Sequence, residues 1–161
     1  MYPLDYIQPV FRPPSEARSL ILQVTNGCSY NRCTFCEMYT DKQKRFSPKP
    51  IETIEQELRS LTKAGYPVKR IFLADGDAMT LSTRRLVDIL QMINKYYPDV
   101  QRVSSYCLPR NLKKKSVEEL QDLYDLGLNL MYVGCESGDN EVLRLVNKGE
   151  DYDSSLIALT K

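Results

Sequence analysis

Apolar residues fall along this chain in two alternating patterns, short unbroken runs and longer stretches marked every three or four positions. SLILQV (19–24), bounded by Asn26 and Gly27, predicts a buried strand. Ile51, Ile54, Leu58 and Leu61 follow at helical spacing, with Pro50 suited to a first turn and Gly65 and Pro67 to a stop. VKRIFLA (68–74) predicts a second strand, and Leu86, Ile89, Leu90 and Ile93 trace a second helix that ends by Pro98. VQRVSSYC (100–107) is a third, weaker strand. Ser116 and Glu119 match a capping box ahead of Leu120, Leu123 and Leu126, with Gly127 as terminator. NLMYVGC (129–135) predicts a fourth strand, and Asp139 caps a helix carrying Val142, Leu143 and Val146 that stops at Gly149.

Strict alternation of strand and helix implies an α/β fold with right-handed crossovers and a mainly parallel sheet. The unbroken apolar strands predict cover on both faces. Each chemically suggestive cluster follows a strand: the cysteines after the first, DGDA after the second, YCLPR after the third, CESG after the fourth. Barrel enzymes build their sites on that rim, whereas doubly wound sheets use a single crevice. The expectation is an incomplete (βα) partial barrel of about four units. Residues 1–18 form a proline-rich lead and 19–161 the core domain. Because SSLIALTK stops inside what reads as a further helix, the core is expected to be truncated at its C-terminus. The fourth strand would then be an open edge, a surface for self-association.

Composition narrows the chemistry. At 161 residues, 42% hydrophobic and 27% charged, the chain suits one domain with a real core. Twenty-two basic against twenty-one acidic residues leave +1, so no broad basic face for nucleic acid is expected. Lys113–Lys115 reads as a solvated loop. The lead, broken by prolines at 3, 9, 13 and 14, lacks a secretory pattern, and no apolar run is long enough for a membrane span. The expected location is cytoplasmic, where thiols stay reduced. The chain has no histidine, which excludes Ser-His-Asp and Cys-His nucleophiles and HExxH metal sites.

Cys28, Cys33 and Cys36 crowd into GCSYNRCTFCEMY, far from Cys107 and Cys135. Three thiolates in one loop suit a metal, a labile disulfide or apolar packing, and inert packing describes Cys107 and Cys135. Structural zinc wants a closed shell of four, so Cys107 or Cys135 would have to complete it. An iron-sulfur cube held by three thiolates keeps one iron open. An open coordination position generally marks a catalytic metal.

The cysteine loop, with Phe35 just before its last cysteine, resembles the cluster loop of radical S-adenosylmethionine enzymes. RPPSEARSLILQVTNGCSYNRCTFCEMY and YVGCESGDNEVLRLVNKG resemble segments of a poorly characterised branch of that superfamily. The commonest spacing there is CxxxCxxC; this loop is CxxxxCxxC, with Ser29, Tyr30, Asn31 and Arg32 in the first gap. The resemblance implies a 4Fe-4S cluster on Cys28, Cys33 and Cys36. Its open iron would be chelated by S-adenosylmethionine, which is cleaved reductively to a 5'-deoxyadenosyl radical. It further implies that Asp75, Gly76 and Asp77 receive the cofactor ammonium, that Glu136 faces the ribose and that Lys148 pairs with the carboxylate. Ser104 and Tyr106 would face the cofactor from the third strand. A small electron donor such as flavodoxin or ferredoxin is the implied partner. The plain alternatives are a tight turn for the two aspartates, a helix-start acid for Glu136, a solvated Lys148, and sheet packing for Ser104 and Tyr106. For the whole chain they are a non-catalytic iron-sulfur protein or a zinc-stabilised interaction module. The substrate is not named by these residues.

Overall fold

The computed structural model describes residues 4–161, so the first three residues of the proline-rich lead lie outside it. In chain order the elements are β1 Leu20–Gln23, β2 Thr25–Asn26, β3 Ser47–Pro48, α1 Ile51–Lys63, β4 Arg70–Ala74, α2 Thr83–Tyr96, β5 Arg102–Cys107, α3 Pro109–Lys114, α4 Val117–Asp125, β6 Leu128–Val133, α5 Asn140–Leu145 and α6 Tyr152–Leu159. The sheet runs β1-β4-β5-β6, every pair parallel. Each new strand joins on the same side as the last. A doubly wound sheet reverses its order at a switch point, so this sequential order is that of a barrel wall.

The stripes predicted from spacing are buried in the first two long helices, whereas α4 and α5 bury only Leu123 and Leu143 and leave Val142 exposed. Ile54, Leu58 and Leu61 of α1 and Leu86, Ile89, Leu90 and Ile93 of α2 join Leu22, Ile71, Leu73 and Val103 in one core on the outer face of the sheet. Caps set the helix ends: Ser116 and Glu119 form a reciprocal capping box on α4, and Asp139 accepts from the Glu141 amide at the start of α5.

The inner face departs from the expectation of helical cover on both sides. Strand alternation brings Ile21, Phe72, Ser104 and Leu130 into line across the register, with Tyr106 opposite Tyr132. Phe72 and Tyr106 meet edge to face at 5.0 Å and Tyr106 and Tyr132 at 6.2 Å between ring centroids. The lead closes this face from below. Ile7 donates its amide to Gln23 Oε1 at 2.9 Å, and the buried Glu16 accepts from Tyr132 Oη at 2.9 Å and Arg102 Nη2 at 2.8 Å. Burial alone would raise the Glu16 pKa, but hydrogen bonds from Ser19, Tyr132 and Ser104 with the Arg102 charge leave it below the ordinary glutamate value.

At Lys113–Lys115 the first two lysines are solvated as expected, but on the last turn of α3 rather than in a loop, and Lys115 caps that helix. Lys115 is buried there and donates Nζ to Leu81 O at 2.8 Å, because the amphipathic stem reaches an orphan carbonyl. Burial depresses the Lys115 pKa. No helix among the described residues is long and apolar enough to cross a membrane.

Candidate metal and cofactor site

Strand β1 delivers the chain to a two-residue ribbon in which Thr25 pairs with Pro48 and Asn26 with Ser47. That ribbon pinches off residues 27–46, the excursion that carries the cysteines. Gly27 opens it at φ +66, and a Cβ there would lie 2.0 Å from Lys44 O, so only glycine fits. The end of β4 ties the excursion to the barrel rim: the Gly27 amide donates to Asp75 Oδ2 at 3.1 Å, and the Gly76 amide to Gly27 O at 3.2 Å.

All three loop cysteines are free thiols of intermediate exposure. They border one cavity of about 540 Å³ at the C-terminal rim of the strands, together with Phe35, Gly76, Tyr106, Glu136 and Lys148. Burial raises the pKa of Cys28 against opposing backbone hydrogen bonds from Asn31 and Tyr30. Burial also raises that of Cys33, opposed by the Lys148 charge. Thiolate is the form that ligates a metal, so binding there would release these protons. Among the described residues, no three Cys, Asp or Glu side chains converge on the position of a single metal ion. Soft thiols spread around a common cavity fit a multi-iron group, which meets its ligands at separate corners.

Opposite the cysteines, Glu136 sits at φ +64 and accepts from Lys148 Nζ at 3.1 Å. Gly134 makes room for this pair, since a Cβ there would stand 2.9 Å from Glu136 Oε1 and 3.1 Å from Lys148 Nζ. The same ammonium lies 5.9 Å from the centre of the exposed Phe35 ring. An aromatic face, a carboxylate and an ammonium thus stand together beside the thiols.

Three of the residues singled out from sequence do not border the cavity. Asp75 is fully buried: its Oδ2 accepts from Gln23 Nε2 at 2.8 Å and forms an ion pair with the equally buried Lys44. Asp77, also buried, accepts from Ser29 Oγ and Asn111 Nδ2, and desolvation raises its pKa against those bonds. Ser104 is buried and donates to Ile71 O at 3.4 Å. Gly76, between the two aspartates, does face the cavity, packed so closely on Tyr39 that a Cβ would fall 2.3 Å from its ring. Tyr39 itself escaped sequence reasoning. It is a buried wall residue in a polar loop, and its only signal was an aromatic three positions past the last cysteine. Cys107 borders the cavity from below as a buried thiol, whereas Cys135 does not.

Comparison with known proteins converges on one family. The radical SAM superfamily model matches residues 22–161. Among curated relatives, 4'-phospho-dehydrooxetanocin synthase of Priestia megaterium is 27% identical over 88% of this chain and 21% of its own length. The heme chaperone HemW of Bacillus subtilis is 27% identical over 74% of this chain and 34% of its own. The chain thus spans about a fifth to a third of the length of these relatives. Among solved structures, the cobalamin-dependent S-adenosylmethionine radical enzyme OxsB, with aqua-cobalamin and S-adenosylmethionine bound, superimposes with a TM-score of 0.70. It is 25% identical, over 88% of this chain and 21% of that one. With a family match running from β1 to the last residue, on a sequentially ordered parallel sheet whose rim carries the three cysteines, the chain belongs to the radical SAM superfamily, whose members use a 4Fe-4S cluster and S-adenosylmethionine.

Proposed function

We propose that this chain is the cluster-bearing part of a radical SAM enzyme, with Cys28, Cys33 and Cys36 as the ligands of a 4Fe-4S cluster. The observation that carries the reading is the common cavity bordered by all three thiols and by Phe35, Glu136 and Lys148. When bound, the cluster and S-adenosylmethionine supply reductive cleavage of a sulfonium to a 5'-deoxyadenosyl radical, which removes hydrogen from a substrate. The chain's own part is to bind and orient. Phe35 offers an apolar face at the rim, and Lys148 an ammonium for the cofactor carboxylate. Glu136 offers acceptors for ribose hydroxyls, while Lys148 holds its carboxylate in place until the ligand arrives. Tyr106 supplies part of the aromatic floor. In this reading Asp75 and Asp77 shape the rim from beneath, and Gly76 lets the backbone approach the ligand.

The cavity's size favours this reading over a zinc module, because a closed tetrahedral zinc shell needs no such room. A flavodoxin or ferredoxin is the proposed electron donor, and a cytoplasmic setting keeps the thiols reduced. Strand β6 forms one edge of the sheet, and its open backbone groups are the proposed surface for self-association. Light scattering on the purified chain is expected to show a species larger than the monomer, and a stable monomer would refute that contact.

The deciding experiment is anaerobic reconstitution with iron and sulfide followed by electron paramagnetic resonance. A reduced-cluster signal that shifts when S-adenosylmethionine is added supports the enzyme. A cluster indifferent to the cofactor supports an electron-transfer or sensing protein, and stoichiometric zinc without a cluster supports an interaction module.

A further inference from the structure

We infer that the turn between α5 and α6 is a clasp for the cysteine loop: Asn147 and Gly149 act as positioning residues that hold Tyr30 and Arg32, and so shape residues 28–36 before any metal group binds. The inference rests on the reading of Cys28, Cys33 and Cys36 as ligands. Tyr30 Oη donates to Asn147 O at 2.9 Å and lies 3.2 Å from its Oδ1, and Asn147 Nδ2 donates to Arg32 O at 2.9 Å. Further along the loop, the Thr34 amide donates to Val146 O at 3.0 Å. Gly149 provides the seat for the Tyr30 ring, since a Cβ there would meet it at 2.5 Å. The Arg110 guanidinium lies 4.5 Å from the ring centre, fixed in turn by Glu150 and Gly149 O.

The remaining two residues of the first gap are held as well. Ser29 donates to Asp77, and Asn31, at φ +44, turns its amide to donate to Tyr39 O at 2.8 Å. All four residues between Cys28 and Cys33 therefore have a named anchor, and two of them share Asn147, more than a hundred residues away in sequence. Three ligands must be presented together, and ordering a loop at the moment of binding costs conformational entropy. Contacts between the chain's own residues lower that cost. The clasp also carries Lys148, so the same turn that fixes the loop points an ammonium into the cavity. Asn147 adopts φ +50 in this turn, a left-handed conformation that asparagine tolerates better than most residues.

The test uses the full chain carrying Asn147→Gly, which keeps the left-handed backbone, and Tyr30→Phe, which keeps the ring on Gly149 but loses the hydroxyl. Amide hydrogen exchange of residues 28–36 in the metal-free chain is expected to speed up about fivefold in each variant, the size of one lost hydrogen bond, with exchange in β4 and β5 unchanged. After reconstitution, iron release to a chelator is expected to quicken by about the same factor. Asn147→Asp, which keeps an acceptor for Tyr30 but sets a carboxylate oxygen against Arg32 O, is expected to quicken loop exchange at least as much as Asn147→Gly. Loop exchange equal to wild type in both variants overturns the clasp, as does equal acceleration across the whole sheet. A wild-type chain that takes up no cluster overturns the ligand reading instead, while the exchange comparison, made without metal, still decides the clasp.

Discussion

Alanine in place of Cys28, Cys33 or Cys36 is expected to abolish the iron-sulfur absorbance of the reconstituted chain, whereas Cys107→Ala and Cys135→Ala leave it in place. Loss of an outer partner that merely orients a ligand already costs about 10–100-fold in metal affinity, so loss of a ligand costs at least that. The two distant thiols are placed apart from the loop. Cys107 is 2% exposed, donates Sγ to Leu108 O at 3.2 Å, and has its pKa pushed up first by burial and then by the Asp77 charge. Cys135 lies outside the cavity altogether. Iron, sulfide and visible absorbance per chain after anaerobic reconstitution decide the matter. A full cluster in Cys33→Ala would sink the assignment, and loss of the cluster in Cys107→Ala would redraw it.

The cysteine loop was legible in the sequence because its ligands are local: three thiols within nine positions, placed directly after an apolar run. The sheet and its main helices were legible for a related reason. Their burial patterns repeat at period 3.6 or as unbroken apolar runs, and Ser116 and Asp139 announce their helices with caps. What stayed hidden depends on partners far apart in the chain. Lys44 lies in DKQKRF between exposed neighbours, and its burial is accounted for by distant partners, Asp75 just past β4 and the Ile7 carbonyl. Tyr30 carries no local sign of its seat on Gly149. Helix α3 was missed because Pro109 and three lysines read as loop, although proline in the first turn and lysines in the last are compatible with a short helix. The β2–β3 ribbon, two residues on each strand, is too short to leave a period at all.

Asp75→Ala is expected to destabilise the fold strongly and to loosen the cysteine loop at the same time. Asp75 and Lys44 are both fully buried, and removing one partner of such a pair leaves an uncompensated charge, at a cost of about 3–5 kcal/mol. For a chain of this size each kcal/mol lowers the thermal midpoint by about 2–4 °C, so a fall of roughly 6–20 °C is expected. The carboxylate does more than balance a charge, because the same Oδ2 also accepts from Gln23 Nε2 and from the Gly27 amide. With alanine those donors lose their acceptor, and the first residue of the excursion is no longer tied to the end of β4. Lys44→Met is expected to cost less, since Asp75 keeps two donors. Asp75→Asn combined with Lys44→Met removes both charges, and replacing a buried pair as a unit is far cheaper than breaking it. The double variant should therefore recover much of the midpoint lost in Asp75→Ala, with a coupling energy of about 1–3 kcal/mol in the cycle Asp75→Asn, Lys44→Met and both. Thermal melts of the four chains and of Asp75→Ala measure this directly. Additive effects in the cycle, or a midpoint for Asp75→Ala within about 2 °C of wild type where each kcal/mol moves it that far, would show that the loop is held by its other contacts and that the aspartate is free to serve the ligand.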